Sequence, residues 1–281
     1  CQLIDATNAK KANQQALLAL ENEVGALCFS NPNNLQVLFK DISIEHIRID
    51  FKNYTADFVN RWSSFIRDKK IYGALHGEGN FSHPTYCSTV FADGETQKEQ
   101  LKNAFETGQK QQGNIQFHFF IREDFFQEIA KLRAFRILWK EKKGTLPFIF
   151  AELSTKNWQK EDPYNNLIAS TTALMSSVFG GANNIVIPDY NHGFDTATDL
   201  SQRLARNQHH ILRKESFLDK VQDPTAGAYY VENLTTELLK TFDVSQKQEE
   251  TKGTTTWLSA EAIQIPNIFS KPIKKIRNFA A

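Results

Sequence analysis

Methionine and cysteine are scarce in this sequence: its 281 residues include one Met and three Cys. Cys1, Cys28 and Cys87 are odd in number and far apart, which gives no disulfide framework and favours a reduced, cytoplasmic setting. An excess of charge of either sign is also missing, since 33 Lys and Arg face 32 Asp and Glu for a net charge of +1. That balance provides no electrostatic footprint for nucleic acid or an anionic membrane, and neither is expected as a partner. No apolar run approaches the roughly 20 residues of a membrane-spanning helix. No charged-apolar-small leader opens the chain, and no repeat at solenoid period appears.

Hydrophobic side chains are plentiful, at 41% with 12% aromatic, enough to bury a large core in one big or two small domains. Short apolar runs alternate with amphipathic segments. Strands are expected at 25–29 (GALCF), 47–51 (IRIDF), 72–75 (YGAL), 115–120 (IQFHFF), 147–151 (PFIFA), 184–187 (NIVI) and 229–232 (YYVE), with helices between most of them. Strand, helix and strand in succession make a parallel sheet with crossover helices, and seven such strands favour a closed (β/α) barrel over a sandwich. The barrel is expected over 1–246. From 247 to 281 the chain turns polar (KQEETKGTTT) and then carries two prolines and clustered lysines, which reads as a linker and irregular tail. Cys1 in place of Met suggests an excised piece.

Three helices carry the informative positions. In DFFQEIAKLRAFRILWKEKK, Asp124 is placed to cap, and Phe125, Ile129, Leu132 and Trp139 recur at helical spacing, leaving Glu128, Lys131 and Lys140 for other faces of an outer barrel helix. In EDPYNNLIAS, Asp162 reads as an N-cap and Pro163 as the N1 residue. Tyr164 follows, and Asn165 and Asn166 occupy the first turn, where their amides can satisfy orphan backbone groups or bond a neighbouring loop. That helix stops at Gly180 and Gly181. In DLSQRLARNQHHILRK, the stripe Leu200, Leu204, Ile211 has Asn207 at an apolar position. Asn207 is therefore expected to be buried in a hydrogen-bond network with Arg203 and Arg206, with at least one arginine on a carboxylate. A phosphate or carboxylate site on the two guanidinium forks is the competing reading. His76, His83 and Cys87 match no standard zinc spacing, and HGEG lacks the lysine and glycine spacing of a phosphate loop.

Taken together and in order, FQEIAKLRAFRILW, EDPYNN, FGGANN, RLARNQHHILRKES and DPTAGAYYVE resemble the substrate-binding barrel of the methylmalonyl-CoA mutase family, over about Asp5 to Leu239. The resemblance implies a (β/α)8 TIM-type barrel that threads an acyl-CoA along its axis, and a separate flavodoxin-like domain holding adenosylcobalamin. The reaction it implies is the isomerisation of (R)-methylmalonyl-CoA to succinyl-CoA. Catalytic members of the family place a Gln, with a His two residues before it, in the strand leading to the DPYNN helix. This chain has AELSTKNW there, with Glu152 and Ser154. Asn114 and Gln116 stand where an Arg and a Ser touch CoA, His192 falls near the position of a Glu that meets the adenosyl group, and STVFADGETQ lacks the catalytic His. No cobalamin Asp-x-His-x-x-Gly motif occurs.

These departures are similar to those of the family's small, non-catalytic chain. They imply no catalytic, cofactor-binding or metal-binding residue here. Asp162, Pro163, Tyr164, Asn165, Asn166, Gly180, Gly181, Arg203, Arg206 and Asn207 are then family scaffold. The implied partner is a large catalytic subunit, which binds the adenosylcobalamin and acts on the acyl-CoA. The tail from 254 resembles the leader of that large chain, and an N-terminal portion looks absent, so the barrel is expected to be incomplete. Two alternatives stand: an active acyl-CoA mutase barrel that takes cobalamin from another chain, and an unrelated small-molecule (β/α) barrel enzyme.

Overall fold

The structure is a computed structural model and describes residues 1–67, 69–77 and 86–242. Strand and helix alternate from the start: β1 Gln2–Asp5, α1 Ala9–Glu21, β2 Ala26–Ser30, the short α2 Leu35–Leu38, β3 Arg48–Lys52, α3 Ala56–Ile66, β4 Tyr72–His76 and β5 Tyr86–Phe91. The second half continues with α4 Gln97–Lys110, β6 Ile115–Ile121, α5 Phe125–Lys143, β7 Ile149–Leu153, α6 Asn165–Phe179, β8 Asn184–Val186, α7 Asp199–His210 and α8 Tyr229–Lys240. The strands lie in the order β1 to β8, each parallel to the next. Across the remaining seam, the backbone nitrogen of Cys1 donates to the Ile185 carbonyl at 3.0 Å, so the first strand meets the eighth. This is a (β/α)8 TIM-type barrel. The expected loss of barrel wall is not found, because eight strands are present among the described residues. The expected linker and tail lie outside those residues.

Period-two patterning sorts the side chains. In β3, Ile49 and Phe51 point outward, where Phe51 meets Phe58 and Trp62 of α3 with ring centroids 4.8 and 4.7 Å apart. Arg48, Asp50 and Lys52 point to the barrel axis. In β6, Phe117 and Phe119 pack outward on Phe135 of α5, leaving Gln116 and His118 inside. The two large apolar layers therefore lie between strands and helices. Among the described residues, Cys28, Phe150 and Val186 form a small apolar cluster at the axis, with Cys1 and Leu3 against it.

Three expectations about elements are corrected. YYVE is the first turn of α8: Tyr229 is 81% exposed, and Val231, Thr235, Leu238 and Leu239 are buried at helical spacing. The missing strands are β1 and β5. In β5 the axis-facing positions are Cys87, Thr89 and Phe91, so it carries no continuous apolar run. The third correction concerns α5. Asp124 caps it as expected, accepting from the Gln127 amide at 3.3 Å, and it lies outside the strands as expected, but Glu128 and Lys131 are buried. Eleven of its residues are buried, from Glu128 to Trp139, because α8 packs over it. Two of its buried cations, Lys131 and Arg133, are paired with carboxylates, which makes their burial possible. Lys131 pairs with Glu128 and donates to Gln100 Oε1 at 2.8 Å, while Arg133 pairs with Asp223 and with Glu232 at 2.8 Å.

Candidate functional site

Active sites of barrels of this kind lie at the C-terminal ends of the strands, above an interior filled by side chains. Here the interior itself is an ionic and hydrogen-bonded network drawn from six strands, β3 to β8. Arg48 grips Asp50 with Nε to Oδ2 and Nη2 to Oδ1, both at 2.9 Å, and also bonds Gln116 Oε1. Asn184 of β8 reaches Asp50 Oδ2 at 3.3 Å from across the barrel. Gln116 Nε2 lies 3.0 Å from Thr89 Oγ1 and 3.1 Å from His76 Nε2. His76 Nδ1 and His118 Nδ1 are 3.1 Å apart, and His118 Nε2 is 2.9 Å from Glu152 Oε2, which Lys52 also binds. The Phe150 ring stands among the two imidazoles, 4.3 Å from His76 and 5.0 Å from His118 between centroids. Asp50, His76, Gln116 and His118 are all buried.

Burial and pairing set the charge states. Burial pushes the Asp50 carboxyl up, but the Arg48 guanidinium beside it is the largest of the influences that offset this and hold it below the usual carboxylate range. Glu152 is held well below its usual range in the same way, by His118 and Lys52 against burial. Burial lowers His76 to about 4 despite Asp50, and lowers His118 despite Glu152. The Cys28 thiol is pushed up by burial, so it is no thiolate nucleophile. A cleft of about 390 Å³ between the C-terminal ends of α4 and α5 opens at the opposite, N-terminal end of the strands and shares no residue with this network.

The residues singled out in the sequence lie elsewhere, mostly on α6 and α7. Asn166 is buried and fully used. Its Oδ1 accepts from the Gln159 amide at 2.9 Å, and its Nδ2 donates to the carbonyls of Gln159 at 3.0 Å and Tyr190 at 2.9 Å. It thus ties the loop before α6 to the loop after β8. Asp162 is not a side-chain cap. A turn through Pro163 and Tyr164 precedes the helix, the Asp162 carbonyl accepts the Asn165 amide, and its carboxylate takes the Asn165 side chain at 2.9 Å. Tyr164 stacks on Tyr190, 5.2 Å between centroids. The two glycines have separate reasons. A Cβ on Gly180 meets Leu132 Cβ at 2.8 Å, and Gly181 has φ +80° with its carbonyl on Arg136 Nη1 at 2.9 Å.

The α7 expectation is wrong in its main point. Asn207 and Arg203 are exposed, as are Leu200 and Ile211, at 42% and 51%. The face turned to the barrel is Ser201, Gln202, Ala205, Arg206 and Gln208. Gln208 Nε2 lies within 2.8 Å of Leu167 O, Ser170 Oγ and Thr171 Oγ1 on α6. Arg206 is buried but donates to Gln2 Oε1 at 3.1 Å, and neither arginine has a carboxylate in ion-pair range among the described residues. A small polar face packs inward because the α6 wall offers hydroxyls and carbonyls to it, so the apolar stripe was no guide to burial.

The family model for methylmalonyl-CoA mutase matches residues 90–268, well over half of the chain. The chain belongs to that family. Methylmalonyl-CoA mutase of Rhizobium meliloti is 37% identical over 158 residues, covering 53% of this chain and 22% of the relative. The Escherichia coli enzyme is 32% identical over 182 residues, 60% and 25% of the two chains. The methylmalonyl-CoA mutase small subunit of Porphyromonas gingivalis is 25% identical over 299 residues, 82% of this chain and 48% of that subunit. The chain thus spans less than half the length of these relatives, and membership of the mutase family sets aside the reading as an unrelated barrel enzyme. Within the mutase barrel, Glu152 and Gln116, the residues that depart from the catalytic pattern, are members of the axial network. Ser154 donates its amide to Ile121 O at the end of β7, and His192 is exposed in the loop after β8. Among the described residues no group of three His, Cys, Asp or Glu could hold a metal, and His83 lies outside them. No described helix is long and apolar enough to cross a membrane. The axial network escaped the sequence reading, although polar residues alternating with apolar ones in RIDFK and IQFHFF were its signal.

Proposed function

We propose that this chain is the non-catalytic partner barrel of an adenosylcobalamin-dependent methylmalonyl-CoA mutase, pairing with a large catalytic subunit that binds the cofactor and the acyl-CoA. One observation carries the reading. The path along which a catalytic barrel would thread the CoA chain is occupied by Arg48, Asp50, His76, Gln116, His118 and Phe150, cross-bonded from wall to wall. Opening it means breaking the Arg48–Asp50 pair, and stranding a buried charge costs about 3–5 kcal/mol.

The residues at the mouth do not fit the cofactor either. Gripping an adenosyl group and corrin takes free polar groups at the strand ends, and Glu152 is already committed to Lys52 and His118. No step through cobalamin is therefore assigned to this chain. Asn166, Gly180, Gly181 and Arg206 serve the wall of the barrel. The remaining residues of the blocks that resemble the family are scaffold by the same reading. A cytoplasmic location fits the unpaired cysteines. Co-expression with a catalytic mutase chain tests the assignment: a stable complex of the two chains is expected, and separate elution of the two at micromolar concentration contradicts it.

A further inference from the structure

The axial network contains a hydrogen-bond chain whose direction is fixed by its two ends. Gln116 Oε1 accepts from Arg48, so the other end of that amide, Nε2, is the donor that faces Thr89 Oγ1 and His76 Nε2. Accepting from Gln116 requires a lone pair on His76 Nε2, which places the proton of the neutral ring on Nδ1. That Nδ1–H then donates to His118 Nδ1 at 3.1 Å, so the His118 proton sits on Nε2, 2.9 Å from the Glu152 Oε2 carboxylate oxygen. The order Gln116 to His76 to His118 to Glu152 leaves one feature unbalanced. The His76 Nε2 lone pair lies 3.3 Å from Asp50 Oδ1, an ionised oxygen with room for one proton between them.

We infer that the barrel axis is a one-proton switch: a proton taken up at His76 Nε2 exchanges the bond from Gln116 for an ion pair with Asp50, and so uncouples Gln116 from the two histidines and ties them to Arg48 through Asp50. The proton comes from a solvent hydronium ion, which is left as water when the Nε2–H bond forms, and no other covalent bond changes. The groups facing the pair are Arg48, Asp50 and Lys52 of β3, Glu152 of β7, Cys28 of β2 and Cys87 of β5. Arg48 is committed to Asp50 and Lys52 to Glu152, and the Lys52 charge opposes a second positive charge on His76. Burial keeps His76 uncharged at neutral pH and reserves the charged state for acid. The two rings, 3.1 Å apart through their Nδ1 atoms, cannot both carry a charge cheaply.

Nitrogen NMR of the full chain with ¹⁵N-labelled histidine reads this directly. Near pH 7.5, about one unit above the ordinary histidine value, His76 is expected as the Nδ1–H form and His118 as the Nε2–H form, with scalar coupling across the Nδ1···Nδ1 bond. On acidification both rings are expected to respond with one shared midpoint below the ordinary histidine value. A neutral His76 carrying its proton on Nε2, two independent midpoints, or acid unfolding with both rings still neutral overturns the inference. Gln116→Leu removes the donor that forces the Nδ1–H form, and is expected to raise the proton affinity of the pair at least about tenfold, one pH unit; an unchanged midpoint overturns it. Should that variant not fold, the tautomers of the unaltered chain decide.

Discussion

Replacing Asn166 by Ala tests whether the double asparagine is wall or ornament. Asn166 is 3% exposed and makes three hydrogen bonds of 2.9 to 3.0 Å, all to backbone of the loops on either side of β8 and α6. A net value of roughly 0.5–1.5 kcal/mol for each gives a loss of about 2–4 kcal/mol, with the upper end reached if the Gln159 amide and the two carbonyls stay dry. For a domain of this size each kcal/mol moves the midpoint by about 2–4 °C, so thermal unfolding is expected to fall by roughly 5–12 °C. The neighbour is the control. Asn165 bonds an exposed Asp162 carboxylate, and Asn165→Ala is expected to cost less than about 0.5 kcal/mol. Urea unfolding of both variants against the parent decides. Equal stabilities for Asn165→Ala and Asn166→Ala would refute the reasoning.

Arg133→Met leaves Asp223 and Glu232 buried without their cation, so it is expected to cost about 3–5 kcal/mol and to expose α8 and the 223–228 loop to limited proteolysis before the barrel itself is cut. Stability is also expected to fall with acid. His76 is lowered in the folded chain from 6.5 to about 4, so the folded state binds fewer protons and its stability is full above pH 6.5 and lost as pH drops toward 4. At about 1.36 kcal/mol per pH unit that is about 3 kcal/mol, and Asp50 and Glu152, both held low, add loss in the same direction at lower pH. Denaturant midpoints that are flat between pH 7 and 5 contradict this. Asn207→Leu, at an exposed position of α7, is expected to stay within about 0.5 kcal/mol of the parent in thermal melts.

Six of the eight strands were legible because their outward residues form apolar runs against the helices, as in GALCF and IQFHFF. The strand β5 was not, since Thr89 and Cys87 face the axis and break its run, and YYVE was misread because two exposed tyrosines mimic a strand. Local caps and stops were readable: Asp124 caps α5, and α6 ends at Phe179 before the paired glycines. Burial was not readable where polar faces pack together. On α7, Gln208 and Arg206 go inward and Leu200 and Ile211 outward, which inverts the rule that an apolar stripe marks the core. The axial network was invisible for a different reason. Arg48, His76, Gln116 and Glu152 are spread over β3, β4, β6 and β7, and only the parallel register brings them together.

The most direct test of a barrel closed to its family's chemistry is a turnover and binding assay on this chain without a catalytic partner. Supplied with adenosylcobalamin, a separately expressed cobalamin domain and (R)-methylmalonyl-CoA, the chain is expected to form no succinyl-CoA and to give no calorimetric binding of the thioester at concentrations up to about 1 mM, the weak end of the affinity scale. Succinyl-CoA formed above the level of the cobalamin domain alone, or saturable binding in the micromolar range, contradicts the account.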